Sequence, residues 1–301
     1  MKRPETMLSN QIRQRAREEG IDVVRITHAN PFEGYLLAHS KRRDPHLTLP
    51  EARSIIVFGI YIGGFCLPDW DDPSIGRTSR LFLSGFYYDV VEPLESIVSL
   101  LHDREFKALV CDTFQAEGSI LPLKLAAVRA GIGWQGKNTL LISRHYGSFL
   151  ALGGIVTDAR LEFDSGTEKN RCGTCRACQD ACPLGALNEP YRLNRKRCLS
   201  HLFDEESLSG EVLQLMGNQI VECEICQLVC PWNRMHLQQP LVTERTRLFQ
   251  EKVDRLRDLF KLSNLVQMSE RDFEEFIGPY RTKIPYRIFR RNVVAALDHS
   301  K

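Results

Sequence analysis

The feature that most constrains the possible folds of this chain is a high density of cysteines in one short stretch. Eight of its ten cysteines lie between Cys172 and Cys230, and only Cys66 and Cys111 lie outside it. The first four have the spacing C-x2-C-x2-C-x3-C and are followed by Pro183. This spacing is typical of bacterial ferredoxins with two [4Fe–4S] clusters. It therefore predicts two such clusters rather than a disulfide framework or a zinc site.

The second half of the cysteine stretch repeats the first with one member missing. Ile220 stands where the first cysteine of the second copy would be, and Cys198, farther upstream, is available to replace it. In two-cluster ferredoxins the fourth cysteine of such a run ligates the other cluster. We therefore predict two crossed ligand sets. The first set is Cys172, Cys175, Cys178 and Cys230, and the second set is Cys182, Cys198, Cys223 and Cys226.

The composition of the remaining chain is that of an ordinary soluble protein. Of its 301 residues, 43% are apolar and 26% are charged, and no apolar run reaches the roughly 20 residues needed to cross a bilayer. The N-terminus lacks the apolar core of a signal peptide. These features predict a cytoplasmic protein without a membrane partner. Cys66 and Cys111 lie in or beside apolar segments and are expected to be buried structural thiols.

Hydrophobic periodicity predicts an α+β fold. Ser9 is expected to cap the first helix, which Gly20 ends. Apolar runs and helical patterns alternate before the cysteine stretch, and only helical patterns follow it. The predicted strands are 21–26, 54–62, 107–111 and 149–156. The predicted helices are 9–19, 89–101, 120–130, 245–261, 269–277 and 286–298.

We predict three consecutive domains from this pattern. They are an N-terminal α/β domain over 1–160, a ferredoxin-like module with two clusters over 161–236, and a short helical tail over 237–301.

Several motifs resemble epoxyqueuosine reductases. One is the run Cys172-Gly-Thr-Cys-Arg-Ala-Cys-Gln-Asp-Ala-Cys-Pro183, and a second ends in Cys230-Pro-Trp-Asn233. A third is Ala130-Gly-Ile-Gly-Trp-Gln-Gly-Lys-Asn-Thr139. The resemblance implies an oxidoreductase whose N-terminal domain holds base-off cobalamin and whose clusters pass electrons to the cobalt. It also implies that the reaction removes the epoxide oxygen of epoxyqueuosine in tRNA, and that the tail is a shortened HEAT-like repeat.

The same resemblance suggests a catalytic acid. The family uses an aspartate fourteen residues before the glycine that corresponds to Gly131, and Glu117 occupies that position here. A carboxyl group there could protonate an oxygen leaving group. The alternative interpretation is that Glu117 is a solvated loop residue, in which case Asp112 is the next candidate.

The glycine-rich block offers candidate cobalamin contacts at Gly133, Gly136, Lys137 and Asn138. Backbone amides and a lysine in such a turn could bind the amides or phosphate of cobalamin. The alternative is a simple connection between a helix and a strand, with Lys137 in water.

Two basic patches could bind the RNA backbone. The first lies at 281–291 and comprises Arg281, Lys283, Arg287, Arg290 and Arg291; the second comprises Arg192, Arg195, Lys196 and Arg197. Either patch could instead be a solvated surface. We expect a monomer that receives electrons from an external donor such as a flavodoxin or ferredoxin system. Two alternative functions remain open: a corrinoid reductase for a small molecule, and a non-catalytic iron–sulfur electron carrier.

Overall fold

The structure is a computed structural model that describes residues 4–33, 44–67, 69, 71–85, 91–111, 121–164, 166–278 and 284–299. The chain divides into two compact units. The first comprises Met1–Tyr61, Tyr87–Gly136 and Leu140–Arg171, and the second comprises Ile62–Phe86, Lys137–Thr139 and Cys172–Lys301. The cysteine stretch and the tail thus share one unit, which also takes in short segments from the N-terminal half of the chain.

The regular elements are numbered in chain order. The strands are β1 Val23–His28, β2 Ser54–Tyr61, β3 Ala108–Cys111, β4 Trp134–Gln135, β5 Leu141–Ile142 and β6 Leu150–Thr157. The α-helices up to the cysteine stretch are α1 Pro4–Glu18, α2 Arg80–Ser84, α3 Val91–His102 and α4 Leu123–Arg129. Those that follow are α5 Ala177–Asp180, α6 Leu199–Leu202, α7 Gly210–Leu215, α8 Ile225–Leu228, α9 Arg234–Gln238, α10 Glu244–Arg255, α11 Leu262–Leu265, α12 Glu270–Phe276 and α13 Tyr286–His299.

The first unit is built on a four-stranded antiparallel sheet with the order β1-β2-β6-β3. Every residue of β2 is buried, because helices cover both faces of the sheet. Ile55 and Val57 belong to an apolar cluster that includes α4, whereas Ile56 and Phe58 belong to a cluster that includes α1 and α3. Alternate residues of a strand point to opposite faces, so burial on both sides requires an uninterrupted apolar run. The predicted α+β fold is confirmed.

The predicted start of the first helix is wrong, although its predicted end is right. Ser9 is an interior, buried residue of α1, whose Oγ donates to the carbonyl of Glu5 at 2.8 Å and accepts from the amide of Glu162 at 2.9 Å. A contact with a residue so distant in sequence cannot be read from a local capping pattern. Gly20 ends the helix region in the left-handed conformation, with φ at 69°.

The tail in the second unit contains the predicted helices with one change. The helix expected over 245–261 ends at Arg255, and the short helix α11 follows after a turn. α11 packs against α13, and the ring of Phe273 in α12 packs at a tilt against that of Phe289 in α13, with ring centroids 5.0 Å apart. In the part of the chain that the structure describes, no helix has both the length and the apolar character needed to cross a membrane.

Candidate functional site

The cysteine stretch contains two turns with the same backbone hydrogen bonds. In the first turn, the amides of Gln179 and Asp180 both donate to the carbonyl of Arg176; in the second, the amides of Gln227 and Leu228 both donate to that of Glu224. The residues that open the two helices also share one conformation. Arg176 has φ −125° and ψ 4°, and Glu224 has φ −122° and ψ 18°. The repeat predicted from cysteine spacing is therefore a structural repeat, and α5 and α8, its two helices, pack against each other.

The buried position of Ile220 explains how the second copy tolerates the loss of a cysteine. Ile220 is fully buried, and its amide donates to the carbonyl of Arg77 at 2.8 Å. The position that would carry a thiol in an exact repeat is thus used to pack the second unit. Cys198 stands at the start of α6 and is partly buried.

Burial dominates the electrostatics of the thiols. It raises the pKa of Cys223 to about 12 and raises that of Cys226 well above its ordinary value. Burial likewise raises the pKa of Cys178, Cys198 and Cys230. Free thiols at such positions stay protonated at neutral pH, whereas iron coordination deprotonates them. The donor set thus suits iron–sulfur clusters, whose assembly would release these protons.

Charge on neighbouring thiols also raises the pKa of several cysteines. The identity of these neighbours divides the cysteines into two groups. Charge on Cys172 raises the pKa of both Cys178 and Cys230. Charge on Cys198 and Cys182 raises the pKa of Cys223, and charge on Cys223 and Cys198 has the largest such effect on Cys226. Such effects require the charged groups to be close in space. These neighbours belong to the same predicted ligand set as the thiol that they affect. The exception is Cys178 of the first set, which also raises the pKa of Cys226.

Two further observations describe the thiol arrangement. The amide of Ala186 donates to Sγ of Cys182 at 3.2 Å, a type of hydrogen bond that tunes the potential of a bound cluster. Within the described residues, no three His, Cys, Asp or Glu side chains lie close enough together to hold a single metal ion.

A buried ion pair lies next to the second copy of the repeat. The guanidinium of Arg80 contacts the carboxylate of Glu224, and the Arg80 amide donates to the same carboxylate at 3.0 Å. The side chains of Arg80 and Glu224 are only 6% and 2% exposed. Burial raises the pKa of Glu224, while the Arg80 guanidinium acts in the opposite direction. The pair ties α2 to the turn that follows Cys223.

A second buried carboxyl group flanks the same cysteine. Glu222 has a φ of 56°, a left-handed conformation that non-glycine residues seldom adopt, and its carboxyl accepts a hydrogen bond from the hydroxyl of Ser79. Burial raises the pKa of Glu222 to about 7. Residues held in such strained conformations concentrate at functional sites. Sequence reasoning missed both carboxyl groups, although acidic residues on either side of Cys223 in an otherwise apolar run were a usable signal.

We expect replacement of Arg80 by methionine to lower the free energy of unfolding of the holoprotein by about 3–5 kcal/mol, because it leaves a buried carboxylate without its partner. Anaerobic denaturation, followed by circular dichroism and by cluster absorbance, measures this loss. Replacing the pair together, as Arg80→Met with Glu224→Leu, should recover most of the stability because no unpaired charge remains.

The control for this prediction is an exposed ion pair of the same unit. Arg247 and Glu251 are joined at 2.6 Å, but their side chains are 58% and 46% exposed. Arg247→Met should therefore cost no more than about 1 kcal/mol. An Arg80→Met variant as stable as Arg247→Met would contradict a stabilising role for the buried pair.

The structure gives a packing reason for one glycine of the predicted cobalamin block. A Cβ atom on Gly133 would lie 2.1 Å from the carbonyl oxygen of Ile142, so only glycine allows the β4–β5 hairpin to close across this position. The amide of Gly136 donates to the carbonyl of Leu140 at 2.8 Å. Asn138 is buried. The cobalamin contacts proposed for these residues remain predictions.

The ammonium of Lys137 has backbone partners at the protein surface. It donates to the carbonyl oxygens of Gly173 and Cys175, each at 2.7 Å. The Lys137 carbonyl accepts from the amide of Tyr191 at 3.0 Å. The structure therefore places Lys137 on the loop that carries the first cysteines of the cluster module.

The predicted catalytic acid lies outside the described residues, and so does its alternative. Glu117 and Asp112 both fall within 112–120. Their roles remain predictions from the resemblance. Cys66 and Cys111, by contrast, are described. Cys111 is fully buried, as expected, whereas Cys66 is only partly buried, although burial raises its pKa.

The predicted basic tail is partly used for internal contacts. Arg287 forms an ion pair with Glu206, and Arg291 donates to the carbonyls of Glu205 and Phe203. Arg290 is exposed, whereas Arg281 and Lys283 lie outside the described residues. These contacts dock α13 onto the segment that follows α6 and reduce the charge available to an RNA.

The second basic patch is interleaved with acidic groups. Arg192 pairs with Glu189 at 2.9 Å, and Arg197 pairs with Glu211 at 3.1 Å. A cavity of about 600 Å³ lies beside this patch. Lys196, Arg197 and His201 line it together with the acidic Glu205 and Glu211. The charge of this surface is therefore mixed.

Comparison with known proteins agrees with the geometry of the module. Residues 171–233 match the family model described as a 4Fe-4S double cluster binding domain. The epoxyqueuosine reductase of Synechocystis sp. (strain ATCC 27184 / PCC 6803 / Kazusa) is 32% identical over 268 residues, which cover 87% of this chain and 89% of that protein. The Escherichia coli (strain K12) epoxyqueuosine reductase is 37% identical over 165 residues, but these cover only 54% of this chain and 43% of that protein.

A solved structure is similar over almost the whole chain. A crystal structure of epoxyqueuosine reductase with an epoxyqueuosine-modified tRNA-Tyr stem loop aligns with a TM-score of 0.80 at 25% identity. The alignment covers 98% of this chain and 82% of that one. An α+β unit followed by a two-cluster module thus defines an iron–sulfur oxidoreductase. Within that class, the chain belongs to the epoxyqueuosine reductase family. Membership confirms the predicted cofactors, two [4Fe–4S] clusters and cobalamin.

Proposed function

We propose that this protein reduces epoxyqueuosine to queuosine in tRNA, with electrons supplied through its two [4Fe–4S] clusters. The observation that carries the proposal is the pair of matching cysteine turns within a chain that aligns over 98% of its length with a tRNA-bound epoxyqueuosine reductase. Removal of the epoxide oxygen consumes two electrons and two protons and releases water. The protein must therefore deliver single electrons and at least one positioned proton.

The crossed ligand sets are part of this proposal. The first set, Cys172, Cys175, Cys178 and Cys230, would hold one cluster, and the second set, Cys182, Cys198, Cys223 and Cys226, would hold the other. The mutual effects of the thiols on their pKa values and the repeated turns support this division. Each cluster then draws ligands from both halves of the module, which keeps the clusters close enough to exchange electrons.

Glu117 is the proposed proton donor to the oxygen that leaves the substrate. When bound, cobalamin would supply a reduced cobalt centre that acts as nucleophile and reductant. The glycine-rich block at Gly133, Gly136, Lys137 and Asn138 is the proposed region of corrinoid contact. Within it, the ammonium of Lys137 donates to two carbonyl oxygens of the cluster loop.

Two partners complete the proposal. The tRNA-bound relative supports an RNA substrate, and the exposed Arg290 is the described member of the 281–291 patch that is best placed to meet a phosphate backbone. Binding through phosphate contacts should weaken steeply as salt rises. The second partner is an external one-electron donor, such as a flavodoxin or ferredoxin, acting on a monomeric, cytoplasmic enzyme.

The test is anaerobic reconstitution with iron, sulfide and cobalamin, followed by single-turnover assays on tRNA that carries epoxyqueuosine. We expect conversion to queuosine and a tRNA affinity that falls with salt. Unmodified queuosine-free tRNA of the same sequence is the control for binding without chemistry.

The outcomes separate the alternative functions. Corrinoid retained after gel filtration without turnover would reject the tRNA substrate and favour a small-molecule reductase. Failure to retain corrinoid, with both clusters present, would leave only an electron carrier.

A further inference from the structure

The loop that carries the first three cysteines is held by a positive charge from a segment distant in the chain. Cys172 and Cys175 are closed into a turn by a hydrogen bond from the Cys175 amide to the Cys172 carbonyl at 3.0 Å. On this turn, the carbonyls of Gly173 and Cys175 both accept from Nζ of Lys137 at 2.7 Å. One of these carbonyls belongs to a cluster cysteine itself.

The backbone around Lys137 holds its ammonium in place. The Lys137 carbonyl accepts from the Tyr191 amide at 3.0 Å, and the residue is half-buried. Lysine has three ammonium donors, and two of them are directed at fixed backbone oxygens. The charge is therefore held on the cluster loop by two backbone oxygens, although these hydrogen bonds lie at the protein surface.

A fixed charge near an iron–sulfur cluster changes how easily the cluster is reduced. Reduction adds one electron and so makes the cluster more negative, which a neighbouring cation favours. At several ångströms in a partly buried site, a unit charge shifts such an equilibrium by a factor of ten or more. No bond forms or breaks, and the electron comes from the external donor.

We propose that Lys137 raises the reduction potential of the cluster held by the first set, and not that of the second set. Lys137 is thus a tuning residue that makes the first-set cluster easier to reduce. The inference rests on the crossed ligand sets of the proposed function, but it requires neither cobalamin nor tRNA.

The test is a potentiometric titration of the anaerobic holoprotein, followed by electron paramagnetic resonance of the reduced clusters. We expect Lys137→Met to lower the ratio of reduced to oxidised first-set cluster about tenfold at a fixed potential, which is 59 mV for a one-electron couple. Lys137→Arg keeps the charge and should stay within about twofold of the parent.

The matched control is another cation on the same loop. Arg176 follows Cys175 directly, but its side chain is 62% exposed and pairs with Asp180 at 3.4 Å. Arg176→Met should therefore change the ratio less than twofold, because solvent screens this charge. Equal effects of Lys137→Met and Arg176→Met would reject a specific role for Lys137.

The affected cluster is identified in variants that keep one cluster each. Cys182→Ala with Cys226→Ala should retain only the first-set cluster, and Lys137→Met should still lower its potential. Cys178→Ala should retain only the second-set cluster, which Lys137→Met should leave unchanged. A shift in the second background, or none in the first, overturns the inference.

Iron content guards against a folding artefact. If Lys137→Met loses the first-set cluster, Lys137→Gln takes its place, because an amide still donates to carbonyl oxygens without a charge. A Lys137→Gln potential equal to that of the parent would then reject the charge effect. The expected drop in potential in the Lys137 variants, together with a parent protein that does not turn over epoxyqueuosine-tRNA, would instead count against the proposed function alone.

Discussion

Replacing Cys182 and Cys226 together by alanine is expected to leave one [4Fe–4S] cluster, or about four iron atoms per chain, because both cysteines belong to the second set. Replacing Cys178 and Cys226 together should remove both clusters, because these cysteines belong to different sets. The two double variants differ in a single position of the same turn. Iron and sulfide analysis after anaerobic reconstitution distinguishes them directly.

An uncrossed arrangement changes the result for the Cys182/Cys226 variant only. If Cys182 shared a cluster with Cys172, Cys175 and Cys178, the Cys182/Cys226 variant would lose both clusters and the Cys178/Cys226 variant would also lose both. Single replacements cannot separate the two arrangements, since each removes one cluster in either case. Cys66→Ala, outside the module, is the control and should retain all the iron.

Glu117→Gln is expected to lower single-turnover conversion of epoxyqueuosine by about 10²–10⁴-fold, the usual contribution of a positioned general acid. The amide keeps the size and hydrogen-bonding capacity of the side chain but cannot donate the proton that the leaving oxygen requires. Cluster content, corrinoid retention and tRNA affinity should not change. Glu117→Asp keeps a carboxyl group and should lose less activity than Glu117→Gln.

The competing acid provides the decisive comparison. Asp112→Asn is expected to retain turnover if Glu117 donates the proton. Loss of turnover in Asp112→Asn together with normal turnover in Glu117→Gln would transfer the role to Asp112. Equal, modest losses in both variants would indicate that neither carboxyl is the acid.

The extent to which sequence predicted the fold depended on whether the governing contacts were local. The strand β2 was predictable because burial on both faces demands an uninterrupted apolar run, and Gly20 was predictable because a helix end selects glycine at a left-handed position. Ser9 was misassigned because its real partner, the amide of Glu162, lies in a distant segment. Local capping chemistry carries no information about such a contact.

The same distinction applies to the site. Cysteine spacing encodes a turn of a dozen residues, so the repeat and its missing member at Ile220 could be predicted from sequence. The ion pair of Arg80 with Glu224 and the contact of Lys137 with the cluster loop join segments that only the tertiary fold brings together. Spacing cannot reveal these contacts, although they determine the charge around the clusters.

The matching turns have a consequence for how the protein matures. With crossed sets, the first cluster cannot be completed until Cys230 has left the ribosome, and the second cannot be completed until Cys226 has done so. At least 226 residues must be synthesised before either cluster gains its last ligand. We therefore expect iron and sulfide to be delivered only to a polypeptide that already contains both halves of the cysteine stretch, so that maturation depends on carrier proteins that recognise this apo-form rather than a shorter nascent fragment.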